Sequence, residues 1–196
     1  HYKSQIVACD FLTVETLLLK TLYIFFFTEN GTRRVYLAGV TDHPDGPWVA
    51  QQARQYIWEL QEQEMTFSCL IHDVVSTAAR RDSKYTDAFD TVFTSEGINV
   101  IQTPVRAPNA NAFAERFVRT LREECLDQLL IINEAHLRRV LNEHLGYYNS
   151  RRPHQSLNQQ SPIPRPQVQA YGRIQKRKVL GGIINDYYRT PVAALV

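Results

Sequence analysis

The sequence predicts an α/β fold, in which a mixed five-stranded sheet is flanked by helices and followed by a basic C-terminal extension. Three observations support it. The predicted elements follow the order three strands, helix, strand, helix, strand, helices; a hairpin signal joins two of the first strands; and the helices carry apolar stripes.

The first three strands are predicted to be antiparallel. Apolar runs rich in β-branched and aromatic residues cover 5–11, 17–27 and 34–40. Asn30-Gly31 separates the last two runs, and Asn-Gly between such runs is typical of a tight hairpin. These residues therefore predict one antiparallel half of the sheet.

Helices and strands then alternate. Residues 48–64 have helical spacing, with one apolar stripe formed by Val49, Ala53, Tyr56, Ile57 and Leu60. A fourth strand is predicted at 65–71, a short helix at 86–93 and a fifth strand at 98–102. This alternation predicts strands separated by helical crossovers.

Two longer helices follow the fifth strand. Asn109 and Asn111 are good cap residues for the first of them. Its predicted apolar stripe contains Phe113, Phe117, Leu121, Cys125 and Leu129. The second helix is predicted at 134–148.

The chain is predicted to divide into three parts. Residues 1–150 form the core, the Pro-rich basic segment 151–172 is a linker, and 173–196 form a basic β-hairpin extension with its turn at Gly181-Gly182. Residues 151–196 contain eight Lys or Arg and one acid, whereas the rest of the chain contains 14 bases and 19 acids. Such a tail fits either a polyanion-binding appendage or a solvated segment.

Several classes of protein are excluded or disfavoured. The longest apolar run, 22–27, is much shorter than the roughly 20 residues that span a bilayer, so no membrane partner is expected. Cys9, Cys69 and Cys125 are isolated, which argues against a zinc finger or a disulfide framework and fits a reducing cytoplasm. The chain starts without Met or a secretory signal, as expected for the later part of a longer protein.

Three acids stand at the ends of separate predicted elements. Asp10 lies in an apolar strand, Asp73 directly follows the strand ending at 71, and Glu115 is in the first turns of the long helix. An acid in an apolar strand must bind a cation or accept hydrogen bonds, since its unpaired burial is costly. Each acid is also compatible with a cap or an ion pair. Together they suit Mg²⁺ or Mn²⁺, and two such ions catalyse in-line displacement at phosphorus.

Four segments resemble one protein family. They are TPVRAPNANAFAERFVRTLREECLD at 103–127, YYNSRRPHQSLNQQSP at 147–162, VTDHPDGPWVAQQAR at 40–54 and RDSKYTDAFD at 81–90. The family is that of insertion-sequence transposases with a retroviral-integrase-type (DDE) catalytic core. The resemblance covers nearly all of 1–162 and implies an RNase H-like fold.

The resemblance also implies an activity: an Asp-Asp-Glu triad that binds two Mg²⁺ (or Mn²⁺) ions and cuts and joins DNA strands. Asp10 and Glu115 match the first and last acids. The implied partners are double-stranded DNA, as element ends and target, and further copies of the chain; the implied location is the bacterial cytoplasm, at the nucleoid. The expected DNA-binding residues are Asn109, Asn111, Arg116, Arg119, Arg122, Arg151, Arg152, Lys176, Arg177 and Lys178.

The second acid is where the sequence departs from the family. There, the strand-end Asp is followed directly by a segment like Arg-Asp-Ser-Lys-Tyr, whereas here residues 74–80 intervene. Asp73 is the choice because it keeps its place at the strand end, and Asp82 is the alternative. The same seven residues leave open a second function, a non-catalytic DNA-binding or assembly module.

Overall fold

A computed structural model describes residues 5–73, 85–103, 111–164 and 172–190. The strands are β1 (Ile6–Glu15), β2 (Thr21–Glu29), β3 (Val35–Thr41), β4 (Cys69–Asp73), β5 (Asn99–Thr103), β6 (Ile174–Val179) and β7 (Ile184–Arg189). The helices are α1 (Gly46–Glu62), α2 (Asp87–Thr94), α3 (Ala112–Glu124) and α4 (Glu134–Ser150), with short 3₁₀ turns at Leu126–Gln128, Gln155–Leu157 and Leu180–Gly182.

The main sheet is mixed, as predicted. Its strand order is β3-β2-β1-β4-β5. Strands β1 to β3 pair antiparallel, while β4 and β5 run parallel to β1. The parallel part needs helical crossovers, and α1 and α2 supply them.

Both faces of the sheet are covered, and β2 shows why. The successive residues Phe25, Phe26 and Phe27 are all buried, although neighbouring side chains in a strand point to opposite faces. Phe27 stacks on Tyr56 of α1 at 4.0 Å between ring centroids. Phe26 meets Phe117 of α3 edge-on at 4.8 Å. The sheet therefore separates a core on α1 and α2 from a second core on α3 and α4.

Helix α3 is shorter than its apolar spacing predicted. It ends at Glu124 because the backbone at Cys125 leaves the helical region, at φ −138° and ψ −70°. Phe113 was expected on the buried stripe, and this expectation is wrong. The buried residues of the helix are Ala114, Phe117 and Leu121, and the Phe113 ring instead lies under the guanidinium of Arg33, 3.6 Å from ring centroid to Cζ.

The second, two-stranded sheet packs against α4. Strands β6 and β7 form an antiparallel hairpin on either side of Gly181 and Gly182. Val179 and Leu180 are buried in the α3/α4 core, and the N–H of Leu180 donates to a carboxylate oxygen of Glu143.

The three cysteines differ in exposure: Cys9 and Cys125 are buried, whereas Cys69 is partly exposed.

In the part of the chain that the structure describes, no helix combines the length and the hydropathy needed to cross a bilayer.

Candidate active site

Asp10 and Asp73 lie on adjacent parallel strands. Ala8 of β1 pairs with Ile71 of β4. Asp10 and Asp73 each lie two residues beyond this pair, at corresponding positions of the two strands. Strand β4 ends there, while β1 continues to Glu15, so the two acids stand where the sheet narrows.

Both aspartates face the layer that contains α3. Alternate residues of a strand share a face, so Asp10 shares its face with Ala8 and Leu12, and Asp73 shares its face with Ile71. Ala8, Leu12 and Ile71 all belong to the core that α3 closes. The sheet thus presents two carboxylates towards the helix that carries Glu115.

Hydrogen bonds hold both carboxylates. The backbone N–H of Phe11 donates to Oδ1 of Asp10 at 2.7 Å. The hydroxyl of buried Thr103, at the end of β5, donates to Oδ1 of Asp73 at 2.6 Å. A short bond from a hydroxyl to a carboxylate is among the stronger hydrogen bonds in proteins, so Thr103 restrains the rotamer of Asp73.

A chain of hydrogen bonds links buried His72, next to Asp73, to Asp90 and Gln102. His72 is 1% exposed, and its Nε2 lies 2.9 Å from Oδ1 of Asp90. The amide of Gln102 donates to the other oxygen of Asp90 at 2.7 Å. This chain ties α2 to the ends of β4 and β5 and so fixes the backbone that carries Asp73.

Tyr85 and Cys9 form the apolar side of the same region. Burial raises the pKa of the Tyr85 hydroxyl well above its ordinary value, and the negative charges of Asp10 and Asp73 raise it further. Burial likewise raises the pKa of Cys9. Both groups therefore stay neutral at physiological pH, and the negative charge beside them is carried by the carboxylates.

Glu115 is exposed in the first turn of α3. A helix turns by about 100° per residue, so Glu115 lies about 200° around α3 from Phe113. Phe113 faces Arg33 in the β2–β3 turn, and Glu115 is therefore on the opposite flank. Across the described ranges, no three His, Cys, Asp or Glu side chains are arranged to hold one metal ion.

The donor chemistry nevertheless fits Mg²⁺ or Mn²⁺. The acids that the sheet brings together offer oxygen ligands only, which hard divalent cations prefer. Asp10 and Asp73 supply two of the three expected ligands at neighbouring positions, whereas Glu115 stands apart from them. Asp82 and Asn109 lie outside the described residues.

The predicted DNA-binding residues of α3 differ in their surroundings. Arg116 and Arg119 are exposed. Arg122 donates from Nη2 to the carbonyl of Thr13 on β1 at 3.0 Å. Asn111 is only 3% exposed at the start of α3. Among the predicted DNA-binding residues of α3, Arg116 and Arg119 are therefore the exposed bases that form no ion pair within the described residues.

The remaining predicted bases fall into two groups. Arg152 makes a forked ion pair with Glu124, 2.6 Å from Nη2 to Oε1, and Arg151 pairs with buried Asp186 at 3.1 Å. Both arginines therefore have a structural partner, which the sequence did not reveal. On β6, Lys176, Arg177 and Lys178 are all exposed, and Arg177 lies over the ring of Tyr188. Strand alternation puts Arg177 on the face opposite the two lysines.

Sequence reasoning missed the residues that support Asp73. Thr103, His72 and Asp90 are ordinary residue types, and nothing in their spacing indicates a shared network. One signal was present: Thr103 directly follows the predicted fifth strand, and the ends of parallel strands meet at one edge of a sheet.

Part of the chain is similar in sequence to known integrases. Residues 96–162 match the integrase core domain family. The protein named "Putative integrase ORF3" of Spiroplasma virus SpV1-C74 is 35% identical over 75 residues, which cover 38% of this chain. The match spans 21% of the viral protein, about a fifth of its length.

Solved structures share the fold. The catalytic core domain of BIV integrase aligns with a TM-score of 0.53 at 19% identity, covering 81% of this chain and 91% of that domain. The catalytic domain of Mos1 mariner transposase aligns with a TM-score of 0.55 at 13% identity, covering 73% and 70%. A second structure of that domain, with Raltegravir and Mg, aligns with a TM-score of 0.51 at 12% identity, covering 73% and 71%. The predicted RNase H-like fold and the resemblance to integrase-type cores are confirmed.

Proposed function

We propose that this chain, an integrase-type catalytic core of RNase H-like fold, hydrolyses a DNA phosphodiester and transfers the resulting 3′ end to a second DNA strand. One observation carries the proposal: Asp10 and Asp73 lie at corresponding positions of adjacent parallel strands, and both share a sheet face with residues of the core that α3 closes.

Asp10, Asp73 and Glu115 are the proposed ligands of two Mg²⁺ or Mn²⁺ ions. When bound, such ions activate a water or a 3′-hydroxyl and stabilise the leaving oxygen. The oxygen-only donor set supports this choice of metal, as does the presence of Mg in a structure of the Mos1 catalytic domain.

Other residues of the chain hold the acids and the DNA. Thr103 keeps the Asp73 carboxylate in one orientation through its hydroxyl. Arg119 and Arg122 follow Glu115 at helical spacing, so they lie on its flank of α3 and are placed to contact phosphates along the bound strand. Such contacts position DNA without reading its sequence.

The proposed partners follow from the reaction. Strand transfer joins element ends to a target, so the substrate is double-stranded DNA and the two ends must be held by associated copies of the chain. The proposed location is the bacterial cytoplasm, at the nucleoid, where such DNA would be the substrate.

A strand-transfer assay with pre-cut element ends tests the proposal. D10N and E115Q keep side-chain size and remove one charge, and we expect each to lower the rate by about 10³-fold or more. E123Q, at an exposed position of the same helix, is the matched control and should react like the wild type. Full activity in both D10N and E115Q would refute the triad.

The same assay separates the two candidates for the second acid. D73N should be inactive and D82N active if Asp73 is the ligand. The opposite result would assign the role to Asp82.

A second candidate function is a non-catalytic DNA-binding or assembly module. Residues 74–80, inserted directly after Asp73, favour it, because a displacement of about 1 Å in a catalytic group can lower the rate by about 10²-fold. Salt-dependent DNA binding by the wild type, without cleavage in Mg²⁺ or Mn²⁺, is the result that would support it.

A further inference from the structure

A pocket of about 650 Å³ lies on the flank of α3 opposite Glu115. We call it the Arg33 pocket. Its lining includes Arg33, Phe113, Arg116, Tyr148, His154 and Gln159. It therefore joins the β2–β3 turn, the first turns of α3 and the loop that follows α4.

The lining of the pocket is cationic. Arg33, Arg116 and Arg152 contribute three guanidiniums, and no Asp or Glu is among the lining residues. Arg152 is neutralised by its forked pair with Glu124. Neither Arg33 nor Arg116 forms an ion pair within the described part of the chain, so two positive charges remain available to a ligand.

Arg33 is held in place by the protein. Its Nη1 donates to the carbonyl of Asn30 at 2.6 Å, and its guanidinium lies flat over the ring of Phe113. Burial, together with the positive charge of Arg116, lowers the pKa of Arg33. An anion placed between the two guanidiniums would relieve that repulsion.

His154 adds a buried polar atom without a partner. The residue is 8% exposed, and no hydrogen bond reaches its Nε2 in the described structure. The ring also bonds to the backbone of Tyr148. Because His154 is one of the lining residues, an anion that enters the pocket can supply the missing partner of a protonated Nε2.

Backbone conformation gives a third, independent observation. Arg33 and Gln159 both line the pocket with positive φ, at 67° and 64°. This region is unfavourable for residues other than glycine, and such strain is concentrated at binding and catalytic sites.

We propose that the Arg33 pocket binds one phosphate group of the DNA on which the core acts, between Arg33, Arg116 and His154. Guanidiniums suit phosphate because they offer paired N–H donors, and Phe113 and Tyr148 provide apolar surface for the attached sugar or base. This inference rests on the proposed function, since it assigns a role to a second flank of the same helix. It deepens that function by assigning a phosphate contact to the flank of α3 opposite Glu115.

DNA binding by anisotropy is the first test. R33Q and R116Q should each weaken binding of a duplex element end by about tenfold and reduce the salt slope by about 0.9 per lost phosphate contact. R54Q changes an exposed arginine of α1, on the other face of the sheet, and should bind like the wild type. Wild-type affinity and salt slope in both R33Q and R116Q would overturn the proposal. Arg116 is exposed and forms no ion pair within the described residues, so R116Q keeps the test valid if R33Q does not fold.

Histidine NMR identifies the ligand without using activity. Duplex DNA and deoxyadenosine 5′-monophosphate should both shift the His154 ring signals, and R116Q should abolish the shift. Both ligands should also raise the pKa of His154. In the free protein, burial and the positive charges of Arg152 and Arg33 lower this pKa. The hydrogen bond to the Tyr148 backbone and the charge of Glu124 act in the opposite direction. Shifts caused by inorganic phosphate but not by DNA would contradict a DNA site.

The two proposals fail in different ways. If the core transfers strands normally but R33Q and R116Q bind and shift His154 like the wild type, the pocket is wrong and the proposed function stands. If R116Q abolishes binding of DNA to the pocket while D10N and E115Q leave strand transfer intact, the triad is wrong and the pocket stands.

Discussion

The two flanks of α3 use one helix for opposite purposes. One flank carries the exposed acid Glu115, and the other carries Phe113 and Arg116 into the Arg33 pocket. Between them, Ala114, Phe117 and Leu121 pack into the core. Glu115 and the cationic pocket are thus separated by the width of one helix.

The difference teaches how one helix can serve a proposed metal site and a proposed phosphate site. The buried residues of α3 lie between Glu115 and Phe113, so the acid is kept apart from the Arg33 pocket, while Arg119 and Arg122 share the flank of Glu115. The two flanks should therefore respond independently to changes in either one, and together to changes in the stripe.

The largest effect is expected from Phe117, which supports both flanks. Its ring is 3% exposed and contacts Phe26 and Tyr148 edge-on. F117A leaves a cavity in the core, so we expect the free energy of unfolding to fall by about 3–5 kcal/mol. Urea denaturation measures this, with F117L as the milder control. A decrease of less than about 1 kcal/mol in the free energy of unfolding would mean that the buried residues of α3 do not hold this helix against the sheet.

A smaller effect should follow acidification, through His144 beneath the Glu124–Arg152 pair. Burial lowers the pKa of His144 from 6.5 to about 4. In the unfolded chain His144 becomes protonated below about pH 6.5, whereas in the folded chain it stays neutral down to about pH 4. The free energy of unfolding therefore falls as the pH falls through this window. The contribution of this residue is about 3 kcal/mol.

Urea denaturation between pH 7 and pH 4 checks the role of His144. H144F should lose most of the pH dependence, while H43Q, at an exposed position, should keep it. An unchanged slope in H144F would show that other groups are responsible.

The smallest effect should be confined to one flank. T103V removes the hydroxyl that holds Asp73, at a cost of about 1 kcal/mol in stability. We expect weaker Mn²⁺ binding and slower strand transfer, with no change in phosphate binding at the Arg33 pocket. T103S keeps the hydroxyl and should restore both properties. Weaker phosphate binding in T103V would mean that the flanks are coupled.

The sequence was enough for the order of the elements, because each strand and helix carries its own periodicity. It did not reveal where α3 ends, since Cys125 and Leu129 continue the helical spacing although the backbone turns at Cys125. The spacing of Phe113 matches the buried stripe of α3, yet its ring packs against the guanidinium of Arg33, which lies in the β2–β3 turn.

The sequence predicted only part of the candidate site. Asp10 was conspicuous because an acid in an apolar strand is costly, and Asp73 because it follows a strand directly. The Arg33 pocket had no local signal, since Arg33, Arg116 and His154 come from three separate segments that only the fold brings together. The ion pair of Arg152 also has no local signal in the sequence, because its partner Glu124 lies on a different element, α3.

The most direct test of the central claim is Mn²⁺ binding, measured by electron paramagnetic resonance on the whole chain. We predict that the wild type binds Mn²⁺, that D10N, D73N and E115Q each lose most of this binding, and that D82N, R116Q and E123Q retain it. Retention of Mn²⁺ by D10N, D73N and E115Q alike would contradict a shared carboxylate site and with it the proposed chemistry.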